Sequence, residues 1–205
     1  MTKRLATIFF ALCAVLLVEK ATPSFADTTT FEFDPAHTSA QFAVKHLVVS
    51  TVRGSMGRVS GAVEFDEADP AKSTVQATID VRGIDTNDEK RDEHLRGADF
   101  FDAAKYPTIT FQSKSAERVA DGKYKVTGDL TIKGVTKEVV LDVEGATKPI
   151  RDPFGNTKLG GIARTKINRQ DFGISWSRTM DGGGLVVGDE VDIVIDIEVK
   201  QQSPS

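Results

Sequence analysis

Residues 123–144 read KYKVTGDLTIKGVTKEVVLDVE, and the reading of this stretch decides the fold. Tyr124, Val126, Gly128, Leu130 and Ile132 alternate with Lys123, Lys125, Thr127, Asp129 and Thr131. After Lys133-Gly134-Val135 the alternation resumes, with Val139, Leu141 and Val143 set against Glu138, Asp142 and Glu144. Successive side chains of an extended chain point to opposite faces, so period two buries one face and solvates the other. Two such runs joined by a glycine-containing turn form an antiparallel hairpin.

The same period recurs outward from this hairpin. Phe42, Val44 and His46 face away from Gln41, Ala43 and Lys45. Val59, Gly61, Val63 and Phe65 form one apolar row, and Val75, Ala77, Ile79 and Val81 another. Ile109 and Phe111 lead through Ala120-Asp121-Gly122 into the opening stretch. A weaker strand is expected from Leu159 to Asn168, after a longer turn at Asp152–Asn156. Val191, Ile193, Ile195, Ile197 and Val199 close the chain. About eight strands, each apolar on one side, must curl or stack to hide that side, and a closed barrel also removes the edge strands. The fold class is therefore all-β and antiparallel.

One segment breaks the rhythm. Residues 87–97 read NDEKRDEHLRG, with Asn87 as N-cap, acidic residues in the first turn and Gly97 as a stop. A second short turn of helix is expected at Asp102–Lys105, before Tyr106-Pro107. The barrel thus carries a helical insertion around residues 87–105.

The N-terminus reads as a secretory signal. Lys3 and Arg4 precede a fourteen-residue apolar stretch, Leu5 to Val18, and Ser24-Phe25-Ala26 predicts cleavage after Ala26. Fourteen residues are short of the ~20 that span a bilayer. Cys13 follows Leu12, where a lipoprotein signal needs a small residue. Residues 27–200 then form one domain and 201–205 a disordered tail. Removing three of the 26 basic and one of the 30 acidic side chains leaves 23 and 29, a net charge of −6. That balance argues against a nucleic-acid partner. The mature chain has no cysteine, so its core alone must hold it.

Few residues suggest chemistry. His37, His46 and His94 do not pair at metal-site spacings, so no metal site and no cofactor are expected. Asp85–Glu89 begins like a calcium loop but lacks the glycine, since Lys90 stands there, and is read as a helix start. Gly182-Gly183-Gly184 reads as a turn, with no Lys-Ser/Thr to hold a phosphate. There is no Gly-x-Ser-x-Gly elbow, so no catalytic residue is assigned. His46 shares a face with Phe42 and Val44; it is either a head-group partner or a core histidine satisfied by backbone. Arg91, Asp92 and His94 beside Phe100-Phe101, and Asn168–Gly173 before Trp176, are either a structural network or a polar mouth on an apolar cavity.

Five long stretches carry a resemblance: residues 34–66 (DPAHTSAQFAVKHLVVSTVRGSMGRVSGAVEFD), 91–113 (RDEHLRGADFFDAAKYPTITFQS), 125–143, 167–176 (INRQDFGISW) and 187–199. In this order they resemble the YceI family, the polyisoprenoid-binding-like proteins. The resemblance implies an extended eight-stranded antiparallel β-barrel, lipocalin-like, around a tunnel for a long apolar chain. The expected ligand is a polyisoprenoid, an isoprenoid quinone or a similar amphiphilic lipid. The expected function is a periplasmic carrier, a possible homodimer with no stable membrane insertion after signal cleavage. The lining expected on this basis is Phe42, Val44, Phe65, Ile79, Phe100, Phe101, Ile109, Phe111, Leu130, Phe172 and Trp176. His46, Arg91, His94 and Arg169 would stand near the head group. Two alternatives stand beside the carrier: a soluble partner of a quinone-linked membrane system or stress response, and an enzyme acting on a prenyl lipid through Arg91, Asp92 and His94.

Overall fold

The computed structural model describes residues 28–145, 148–178 and 185–202. The expected signal segment, the Gly182–Gly184 turn and the last three residues of the tail lie outside them. The strands are β1 (Thr28–Phe33), β2 (Ser39–His46), β3 (Ser50–Ser55), β4 (Arg58–Asp66), β5 (Thr74–Asp80), β6 (Thr108–Ala120), β7 (Lys123–Ile132), β8 (Val135–Gly145), β9 (Ile150–Arg151), β10 (Thr157–Asn168) and β11 (Val187–Gln201). One α-helix, α1 (Glu89–Arg96), lies between β5 and β6. The sheet order is β3-β2-β11-β1-β4-β5-β6-β7-β8-β10-β9, and β10 also pairs with β11. That last pairing closes β11, β1, β4, β5, β6, β7, β8 and β10 into an antiparallel ring of eight.

The alternation at 123–144 does what its period demands. β7 and β8 pair from Lys123↔Glu144 to Ile132↔Val135 around a two-residue turn, Lys133-Gly134. Both turn residues have positive φ, 50° and 76°, which matches the twist of the flanking strands. The stretch from 159 to 168 is not weak: β10 is flanked by β8 and β11 and pairs along its whole length.

Three strands go beyond the periodic runs. β1 carries only two buried apolar residues, Phe31 and Phe33, and β9 has two residues in all. β3, STVRGS, extends β2 outside the ring. β1 and β2 lie along one edge of β11, β2 opposite Val187–Asp196 and β1 opposite Val199–Gln201. The corner between them wraps Glu198, whose carbonyl accepts the Asp34 N–H (2.9 Å) and the Thr38 hydroxyl (2.8 Å). Asp34 is held below its usual pKa, first by the hydrogen bond from His37 and then by the Ala36 N–H.

The tail needs a correction. Gln201 is still in β11, and the Gln202 N–H donates to the Thr30 carbonyl at 3.0 Å. The β1 edge thus orders the first two residues that were expected to be free.

The helical insertion is placed as expected, with two differences. Asp88, not Asn87, caps α1, its side chain accepting the Arg91 N–H at 3.1 Å. Residues 102–105 form a hydrogen-bonded turn rather than helix, with Lys105 and Tyr106 N–H both donating to the Asp102 carbonyl. The insertion is tied to β3 by reciprocal backbone bonds between Ser55 and Asp85 (2.8 and 3.1 Å). Gly54 permits this approach, since a Cβ there would lie 2.6 Å from the Asp85 carbonyl oxygen. Buried Asp92 locks the segment by accepting both the N–H and the hydroxyl of Thr86.

The ring is filled at the end away from α1. Phe31 is 1% exposed and meets Phe65 edge-on, with centroids 6.1 Å apart. Phe33 and Leu159 both pair with Val199. Toward α1, Arg169 follows β10 and is 4% exposed. It donates to the carbonyls of Gly188 (2.8 Å), Ile174 (2.6 Å), Trp176 (2.8 Å) and Val187 (3.2 Å), and to Asp189 Oδ1 (3.1 Å). Burial lowers its pKa and Asp189 opposes that shift. The guanidinium satisfies carbonyls of segments that leave the ladder there.

Two outcomes are expected in urea denaturation. Phe31→Ala should cost about 3–5 kcal/mol, because a packed ring end cannot collapse around the void. Arg169→Met should cost about 3 kcal/mol or more, since four carbonyls lose their donor. Arg169→Lys, with one ammonium in place of a planar fork, should recover only a minor part.

Candidate functional site

The inward residues of β11 lie along the barrel, with Val187 and Val191 nearest α1, then Ile193, Ile195 and Ile197, and finally Val199 in the filled end. Val187 and Val191 border a cavity of about 260 Å³ beneath the helical insertion. Ile193, Ile195 and Ile197 border a second of about 70 Å³. Met56, Ile109 and Ile132 line both, so these three side chains stand between the two spaces.

Eleven of the expected residues line the larger cavity: Phe42, Val44, His46, Arg91, His94, Phe100, Phe101, Ile109, Arg169, Phe172 and Trp176. Ile79, Phe111 and Leu130 join Ile109 around the smaller one. Phe65 lines neither. Its alternation points it inward, but its level on β4, opposite Thr29, puts it in the filled end against Phe31.

The polar residues divide by what already occupies them. Arg169 borders the cavity, but all five of its N–H donors are directed at protein acceptors, so it holds the wall and is not free for a head group. Arg91 donates from Nε to Thr86 Oγ1 (2.7 Å) and from Nη2 to the Thr86 carbonyl (2.8 Å), yet its side chain remains 39% exposed. His94 Nε2 lies 3.0 Å from Asp99 Oδ2. Its ring stands edge-on to Phe100 and Trp176, each at 5.0 Å between centroids. Phe100 and Trp176 also touch, at 5.3 Å. The charged helix and the later aromatic stretch therefore meet as one aromatic rim. The His46 imidazole makes no hydrogen bond among the described residues, so backbone does not satisfy it there.

Several lining residues were not among those expected. Ile132 and Val191 belong to rows whose alternation was legible. Val52, on β3, and Met56 lie where no period announces a strand. Leu95, Ile167, Ile174, Val186 and Val187 line the space only because α1 and the segments beside Arg169 fold over it.

The third histidine lies elsewhere. Asp34, His37 and Glu198 place ligand-type atoms within 4.8 Å of one another at the β1–β2 corner. Lys158 Nζ pairs with both carboxylates there, so a cation already bridges them and the group is an ion-pair cluster.

A family model for the YceI-like domain matches residues 31–199. A UPF0312 protein of Staphylococcus aureus is 41% identical over 165 residues, covering 80% of this chain and 92% of the relative. The crystal structure of Burkholderia cenocepacia BcnA matches with a TM-score of 0.68 at 30% identity, over 81% of this chain and 98% of that one. A polyisoprenoid binding domain from Saccharophagus degradans matches at TM-score 0.62 over 85% and 99% of the two chains, and at 14% identity it shares the fold alone. A ring of eight strands roofed by one helical insertion, matched in sequence from the first strand to the last, places this chain in the family of YceI-like domain proteins.

Proposed function

We propose that the protein is an extracytoplasmic carrier that shelters the apolar chain of a polyisoprenoid or comparable amphiphilic lipid. The observation that carries this reading is the pair of adjoining cavities inside the ring. Among the described residues their walls hold no carboxylate, thiol or serine. His46, His94 and Lys45 are basic groups, yet the walls offer them no serine, thiol or carboxylate to activate, which supports binding rather than turnover. The polyisoprenoid-binding description of the Saccharophagus degradans domain, which shares the fold, supports the ligand class. The N-terminal secretory pattern supports delivery outside the cytoplasm.

The magnitudes set what the space holds. At about 30 Å³ for each water-sized unit, 260 Å³ holds roughly nine such units. That is short for a long isoprenoid, which needs the second cavity as well. Of the three residues between the spaces Met56 is the adaptable one, an unbranched thioether with three rotatable bonds. Each buried methylene contributes about 0.8 kcal/mol gross, and ordering and association costs offset part of the sum. At the mouth, His46 and Arg91 offer the head group a hydrogen bond and a positive charge.

Native mass spectrometry of gently purified protein should show a bound lipid, and delipidated protein should take up a prenyl alcohol. Failure to bind any member of a prenyl-lipid panel would remove the carrier reading. Met56→Ala should shift preference toward longer chains and Met56→Phe toward shorter ones. Identical chain-length profiles in the two variants would show that Met56 does not control the passage.

A further inference from the structure

We propose that the tip of the β2–β3 hairpin, Leu47-Val48-Val49, is a membrane-docking element that seats the cavity mouth on an anionic lipid bilayer. The docking role presupposes the carrier function and adds where the lipid enters.

The tip is apolar where a hairpin is ordinarily polar. Val48 is 71% exposed and Val49 83%. The turn closes by the Val49 N–H donating to the His46 carbonyl at 3.2 Å. Both of its central residues have positive φ, 53° at Leu47 and 64° at Val48. That combination ordinarily takes Asn-Gly, and a β-branched residue there is a steric outlier. Exposure and backbone strain thus coincide at Val48, with strained Leu47 before it and exposed Val49 after it. Strain of this kind persists where function uses it.

The tip also borders the cavity. His46 and Val52, on the inward faces of the strands that flank the turn, line the larger space. Leu47 N–H donates to the carbonyl of Val186, another lining residue.

The surrounding charge selects the occupant. From Pro35 to Val63 the chain has no Asp or Glu, although the whole protein is acidic, with a net charge of −4. This stretch carries Lys45, Arg53 and Arg58. Lys45 and Arg53 share the outward face, since Arg53 pairs with Ala43, and neither has an ion-pair partner among the described residues. A convex tip of three residues is far smaller than the roughly 800 Å² per partner of a stable protein interface. Apolar side chains flanked by cations suit a surface with anionic head groups above hydrocarbon.

The test is flotation with vesicles of phosphatidylethanolamine and phosphatidylglycerol, beside vesicles of phosphatidylcholine alone. Two tip variants serve: Leu47→Asn with Val48→Gly, which suits the turn and should melt at or above the wild-type temperature, and Val49→Asp. Ile150→Asp with Phe154→Asp is the control, because these exposed apolar residues (64% and 89%) lie on β9 and on the turn that follows it. Wild type and control should float with the anionic vesicles, less so in high salt. The tip variants should bind them about tenfold or more weakly. All should take up a prenyl alcohol offered from cyclodextrin equally well. Equal flotation of wild type and tip variants, or no flotation of the wild type, overturns the docking role. So does a tip variant that turns a dimer into a monomer without changing flotation, which would make the tip an interface between copies. Failure of the cyclodextrin uptake by the wild type would instead refute the carrier reading.

Discussion

The structure depends on the pairing of β11 with strands on both of its edges. On one side it meets β10 through eleven consecutive pairs, Lys158↔Lys200 to Asn168↔Glu190. On the other it meets β2 and then β1. The first contact turns an open sheet into a ring; the second decides what happens at each end. Where β1 joins, the ring fills with Phe31, Phe33 and Phe65. Where β2 departs, the wall continues outward as a hairpin and leaves space that α1 must roof. An unclosed sheet of this length would expose a one-sided apolar face and two long edges.

The unfilled interior follows from that geometry. Eight strands enclose a space just wide enough for side chains or one small ligand. Aromatic residues fill it at one end, and the side chains toward the other leave the two cavities between them. The segments beside Arg169 cannot complete the ladder, so a buried guanidinium collects their carbonyls instead. This organises the cavity wall through groups that carry no ligand specificity of their own. The groups left over at the mouth are His46, Arg91 and an aromatic rim whose members come from α1, the loop after it and the segment after β10.

Much of this was legible in the residues. Seven of the expected strands were read from period two alone, and the helical insertion stood out because it broke that period. Eleven of the fifteen residues expected at the site line the larger cavity: Phe42, Val44, His46 and Ile109 through strand alternation, the other seven through the motifs of the helical insertion and of the stretch after β10. What alternation does not encode is height along the barrel. Phe65 and Phe42 look alike in sequence, yet one packs against Phe31 and the other faces empty space. Arg169 looked like a head-group partner because a basic residue near aromatics reads the same whether its donors are free or spent. β1 and β3 were missed because each offers too few apolar residues to establish a period, and their pairing comes from distant β11 and from β2.

The sequence by itself determined the class of structure: which residues point inward, where the hairpins turn, that a chain with one cysteine, Cys13, holds no internal disulfide, and the family to which its long motifs belong. These are local properties, set by spacing, turn chemistry and composition. Only the tertiary structure decided which inward side chains pack and which line a space, that Met56, Ile109 and Ile132 separate two cavities, and that Arg169 is fully engaged by backbone carbonyls and Asp189. Those facts depend on register between strands far apart in the chain, and register is fixed when the ring closes on β11.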